Sequence, residues 1–96
     1  EGAVIFGLTA ALYGKIEIKN GAAVPGNFDT YRMVRLAQAP KIDVILMPSG
    51  GPKWGGAGEP ATPPIAAAVA NAIFAATGKR IRTLPISDTD LSATST

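Results

Sequence analysis

The chain has 96 residues, 47% of them hydrophobic and 17% charged, and its 9 basic and 7 acidic side chains leave a net charge of +2. A chain this short makes one domain at most and buries only about 60 to 65% of the surface its unfolded form exposes, while the composition is that of a folding sequence and not a disordered one. The small charge creates no field suited to nucleic acid or an anionic membrane, and the absence of cysteine and histidine argues against disulfides, Ser-His or Cys-His nucleophiles and any metal held directly by this chain.

Val4, Ile5, Leu8, Ala11 and Leu12 fall on one face of a helix, which predicts helix over 2–13 with Gly14 as a left-handed cap. The chain opens on Glu1, already close to this apolar pattern, with no signal peptide visible, a beginning that suggests a piece of a longer polypeptide. Lys15 to Lys19 alternates strictly, Asn20-Gly21 is a strong hairpin signal, and Ala22 to Val24 can pair back until Pro25-Gly26 breaks the ladder. Asn27 to Thr30 suits a turn, and the loose alternation of Tyr31 to Leu36 specifies no element. Ile42 to Met47 is rich in β-branched residues and bounded by Pro40 and Pro48, so it reads as a mostly buried strand whose exposed end is Asp43.

Gly50 to Pro64, GGPKWGGAGEPATPP, packs five glycines around the single carboxylate of Glu59. Thr62 then offers an N-cap hydroxyl, Pro63 and Pro64 suit a first helical turn, and Ile65, Val69, Ile73 and Ala76 predict a helix over 63–77 capped by Gly78. Arg80 to Leu84 reads as a short strand or extended exit, and 87–96 as a polar tail leaving the core. No apolar run reaches the roughly 20 residues of a membrane span. The fold class is α+β: helix, β-hairpin, strand, glycine-rich loop, helix.

Glu59 lies between Gly58 and Pro60, just before a helix N-terminus with unsatisfied N–H groups. Glycines there permit φ > 0 and let a ligand approach the backbone, so the stretch reads either as an oxygen or anion site with a general base or as a turn leading into a helix. Two phosphate-loop readings fail. Gly78-Lys79 follows a helix instead of opening one, and Gly56-Ala57-Gly58 with Ala61 sits among prolines that spoil the dinucleotide turn. Lys79, Arg80 and Arg82 suit the negative end of a helix dipole better than nucleic acid. Asn71 reads as a buried amide bonded to a neighbouring segment more readily than as part of a solvent face, and Trp54 as a pocket wall or a loop anchor.

The run GGAGEPATPPIAAAVANAIFAATGKRIRTLPI, Gly55 to Ile86, resembles the C-terminal end of the molybdopterin-binding large subunit of the xanthine oxidase and aldehyde oxidoreductase superfamily. The branch that it is most similar to contains isoquinoline 1-oxidoreductase β subunits and membrane-associated aldehyde dehydrogenases. EGAVIFGL, LYGKIEIKNG, NFDTYRMVRL and APKIDV extend the likeness over 1–86, the expected C-terminal part of the molybdopterin-binding domain. The resemblance implies that Glu59 is the base that deprotonates a hydroxide on molybdenum, for attack on an aldehyde or N-heterocycle carbon. It places Gly56, Ala57 and Gly58 beside the molybdopterin, expected as the cytosine dinucleotide.

No metal ligand is required of this chain, because the pterin dithiolene holds molybdenum in that family. The implied partners are the remainder of the large subunit, a small subunit with 2Fe-2S clusters and a cytochrome c acceptor, in the periplasm or at the membrane of a bacterium, with the cytoplasm as alternative. The family's large subunit runs to several hundred residues, so this chain cannot enclose the cofactor alone. The competing expectation is a non-catalytic α+β assembly or binding module derived from the same segment.

Overall fold

The computed structural model describes residues 1–47, 51–53 and 55–92. Its elements in chain order are helix α1 (Gly2–Tyr13), strands β1 (Ile18–Lys19) and β2 (Ala22–Ala23), a 3-10 turn at Leu36–Gln38, helix α2 (Ile65–Thr77) and a second 3-10 turn at Ile86–Asp88. This is the expected α+β content in outline: two helices and one antiparallel hairpin.

Helix α1 forms over the residues whose apolar spacing predicts it, and it buries Gly7, Leu8, Thr9 and Ala11. Gly14 ends it, though not by left-handed geometry: its φ is −60° and its N–H donates to Ala10 O. A Cβ at Gly14 would stand 2.6 Å from that same oxygen, so glycine serves here for clearance and not for handedness. Beyond it, Asn20 (φ 53°) and Gly21 (φ 78°) both occupy the left-handed region demanded by a two-residue hairpin turn. They set Ile18 opposite Ala23 and Lys19 opposite Ala22. The ladder is shorter than the alternation of Lys15 to Lys19 suggests, because both strands are solvent-exposed and only the Val24 N–H to Glu17 O bond prolongs it.

Helix α2 begins at Ile65, two residues later than expected, after a turn over 60–64, and Thr62 does not cap it. The Thr62 hydroxyl instead donates to Ala3 O on α1, at a long 3.4 Å. Gly78 is a left-handed cap as expected, with φ 75° and its N–H on Phe74 O. Asn71 is exposed, against expectation, because α2 has no described element on that side; its Oδ1 accepts from Arg80 Nη1 at 3.3 Å. The Arg80 guanidinium also lies 3.5 Å above the Phe74 ring, which gives this cation a local role at the helix end.

The core lies where α1 meets α2 and the second 3-10 turn. Ala11 and Ile86 are each 2% exposed there, and Lys15 Nζ reaches Asp88 Oδ2 at 3.2 Å. Asp90 accepts from the N–H and hydroxyl of Ser92, which hold its carboxyl below the ordinary range. Residues 80–84 form no strand. Ile42 to Met47 forms none either, contrary to the expected buried strand; Ile45 is 82% exposed and Leu46 87%. A ladder needs a second strand, and no described segment offers one to these residues.

Candidate functional site

The site is assembled from the start of α1 and the turn that introduces α2. At its centre is a crossing that only glycine permits. A Cβ on Gly7 would lie 2.7 Å from Ile65 Cγ2 and 2.8 Å from Thr62 O, so α1 rests directly on the first turn of α2. Thr62 is held there from two directions, by its hydroxyl on Ala3 O and by its N–H, which donates to Glu59 O at 2.8 Å. That second bond closes the turn carrying Glu59 and ties the carboxylate's backbone to the helix junction.

Beside this junction opens a cleft of about 630 Å³ lined by Gly2, Ala3, Phe6, Gly58, Glu59, Thr62 and Pro63. Its walls are mostly apolar. The Thr62 hydroxyl is committed to Ala3 O, which leaves the Glu59 carboxylate as the polar side-chain group without a described partner. The structure thus brings Glu59 and Gly58 to one cleft, with Gly56 and Ala57 next to them along the chain. Trp54, expected as a pocket wall or loop anchor, lies outside the described residues.

Gly55, Gly56 and Gly58 are exposed, and a Cβ on any of them would meet nothing within 4 Å. Nor do they use the left-handed region that the sequence allows them, since the glycines with positive φ among the described residues are Gly21 and Gly78. Among the described residues, neither backbone conformation nor packing requires glycine at these three positions. The amides of Gly56, Ala57 and Gly58 make no hydrogen bond to any described residue, so they present donors to whatever approaches. A bare backbone edge whose donors have no acceptor among the described residues fits a bulky group bearing acceptor oxygens. Among the described residues no group of three or more His, Cys, Asp or Glu could hold a metal ion.

Two positions important to this site escape a reading by residue type. Gly7 sits inside a good helical pattern and carries no turn signal, and its role emerges only from the crossing. Thr9 is 6% exposed; its hydroxyl donates to Ile5 O and accepts the N–H of Val34, pinning the 31–35 segment onto α1 beside Phe6. A threonine in an apolar helix would have been the available signal.

Over 91 residues the chain is 41% identical to a membrane-bound aldehyde dehydrogenase [pyrroloquinoline-quinone] of Gluconacetobacter polyoxogenes, covering 95% of this chain and 12% of that protein. Over 86 residues it is 36% identical to one of the subunits of a nicotinate dehydrogenase from Pseudomonas putida. Over another 86 it is 34% identical to the β subunit of an isoquinoline 1-oxidoreductase from Brevundimonas diminuta. Each of these two matches covers 90% of this chain, but only 7% and 11% of the respective relative. The chain therefore spans about a tenth of the length of these curated relatives. No family model and no solved structure matches it.

Proposed function

We propose, from the premise that this chain is homologous to a segment of the large subunits of the molybdenum hydroxylase family, that it contributes the catalytic base Glu59 to an oxidoreductase. That enzyme would oxidise aldehydes or N-heterocycles with oxygen drawn from water. One observation carries the reading: a carboxylate without a partner among the described residues shares its turn with a glycine edge that no described residue explains.

A molybdopterin cofactor, when bound, supplies the redox-active metal centre. Gly56, Ala57 and Gly58 would hold it by their free amides, and the missing side chains would let it come within hydrogen-bond range. The Glu59 carboxylate takes up the proton released by the attacking oxygen nucleophile. Such a base acts only within about 3 Å of its proton, so its direction must be set beforehand. The bond from Thr62 N–H to Glu59 O and the seat of Thr62 on α1 fix the backbone of the turn that carries it. Glu59 is exposed in this chain, and exclusion of water from its carboxylate would come from the remainder of the large subunit covering the cleft.

The cytosine dinucleotide form of the pterin, a partner subunit with 2Fe-2S clusters and a cytochrome c acceptor belong to the same proposal. So does assembly with the remainder of a large subunit, which the small share of each relative covered by this chain supports. The name of the membrane-bound relative supports a membrane-associated location. No helix among the described residues is long and apolar enough to cross a membrane.

In the assembled enzyme, Glu59→Gln is expected to lower kcat by about 100-fold or more, the usual contribution of a general base, with subunit composition and metal content unchanged. Turnover within about tenfold of the parent would remove the catalytic role and leave the assembly module. Elemental analysis tests the cofactor separately. Stoichiometric molybdenum is expected, whereas extractable pyrroloquinoline quinone without molybdenum would replace the pterin by the cofactor named for the Gluconacetobacter relative.

A further inference from the structure

Residues 26–31 form a closely braced turn that carries an exposed ring. Thr30 Oγ1 accepts the N–H groups of Gly26 at 2.9 Å and Asn27 at 3.2 Å, and its hydroxyl donates to Asn27 O at 3.2 Å. Asn27 uses both of its oxygens in return: Oδ1 accepts the Phe28 N–H at 2.8 Å, and the carbonyl accepts the N–H groups of Thr30 and Tyr31. The backbone is thus fixed on both sides of Phe28, while the Phe28 side chain stands 78% exposed. Two apolar clefts flank it, one of about 270 Å³ lined by Ile16, Pro25, Gly26, Asn27, Phe28 and Tyr31, the other of about 200 Å³ lined by Phe6, Thr9, Ala10, Phe28, Tyr31 and Met33. Phe28 and Tyr31 border both, so they make a ridge with a hollow on either side. No charged side chain lines either hollow, and the Thr9 hydroxyl is committed to Ile5 O and the Val34 N–H.

We infer that this ridge is an assembly anchor: Phe28 inserts between apolar side chains of the remainder of the large subunit, and those side chains fill the two hollows. The inference rests on the proposed assembly with that remainder. Three features select it as the occupant over a second copy of this chain or an iron–sulfur subunit. The matched relatives are covered only to 7% to 12% of their length, so the remainder is most of the polypeptide that such an enzyme has to offer. Phe6 borders both the second hollow and the Glu59 cleft, so a body that covers the cleft beside the base continues onto the ridge. Hollows lined without charge match the apolar interior of a permanent interface and not the polar surface of a transient one. A ring on a backbone already fixed by hydrogen bonds loses little freedom on insertion, which is how a few aromatic anchors come to carry most of an interface's energy.

The test uses the assembled enzyme. Hydroxyl-radical oxidation of Phe28, taken relative to the unfolded enzyme, is expected to be suppressed as strongly as that of Ile86, which is 2% exposed already; oxidation at the rate of an exposed ring overturns the inference. Photo-crosslinking from a benzoylphenylalanine in place of Phe28 is expected to reach the remainder of the large subunit, and capture of a second copy or of the iron–sulfur subunit overturns the choice of occupant. Phe28→Ala should lower the equilibrium constant of the assembled state, read by chemical denaturation, about 30-fold or more. Thr30→Val removes the hydroxyl and keeps the ring; it should cost about fivefold in the same constant. In a Phe28→Ala background its effect should shrink to within about twofold, because the turn then has no ring to hold. An equal cost in both backgrounds would show that the turn serves only itself and would overturn the anchor. A chain that purifies with no longer polypeptide removes the assembly reading as well, whereas an assembled enzyme in which Phe28 stays reactive removes the anchor alone.

Discussion

At the scale of single residues, the crossing at Gly7 decides whether Glu59 is held in place. Alanine is the better helix former by up to about 1 kcal/mol, so propensity alone would make Gly7→Ala stabilising. Sterics oppose it, because the new methyl would stand 2.8 Å from a backbone oxygen, Thr62 O, which cannot rotate away as a side chain can. Overpacking of that kind costs about 1 to 3 kcal/mol and should dominate. Gly7→Ala is therefore expected to lower the melting temperature of the assembled protein and to reduce kcat through displacement of the Thr62 turn. Gly2→Ala on the same helix, with nothing within 4 Å of the added methyl, should leave the melting temperature unchanged. Thr9→Val tests a second contact: it leaves the Val34 N–H without its acceptor and should cost about 1 to 3 kcal/mol by chemical denaturation.

At the scale of elements, legibility in the sequence follows the range of the forces involved. Helix α1, the hairpin and helix α2 are set by spacing, by Asn20-Gly21 and by Gly78, all signals acting over a few residues, and they occur where those signals stand. The start of α2 departs from expectation because Thr62 serves the α1 backbone and not its own helix, a choice made by a residue 59 positions away. Glu59 and its glycines are recognisable as a motif, but the apolar cleft and the part of Phe6 in it arise from the helix crossing. Ile42 to Met47 is the opposite case: β-branched composition marks a strand, yet the described chain gives it no ladder. Hydrogen exchange measures the consequence. Amides of Val44 to Met47 should exchange freely in the isolated chain and become strongly protected in the assembled enzyme, where a neighbouring strand can accept them. Equal exchange in both states would mean that this segment is a surface loop.

At the scale of the whole molecule, the described residues close only a small core, with Leu8, Ala11 and Ile86 as its buried hydrophobic side chains. The chain exposes 7791 Å², whereas a compact monomer of 9.8 kDa would expose about 5,200 Å². Its radius of gyration is 16.8 Å, against about 12.5 Å for a compact domain of the same length. The surplus of about 2,600 Å² equals what one partner loses in an extensive permanent interface. Its chemistry agrees, since Phe6, Phe28, Leu36 and Ile45 to Met47 all stand largely in solvent and α1 carries no charged residue. Because denaturant sensitivity scales with the area exposed on unfolding, the isolated chain should show a urea m-value about 70% of that of a compact 96-residue domain. It should also bind hydrophobic dyes, and both properties should disappear on assembly with the remainder of the large subunit. A full-sized m-value with no dye binding would establish instead that the chain closes on itself, and the glycine edge beside Glu59 would then have to be explained without a covering partner.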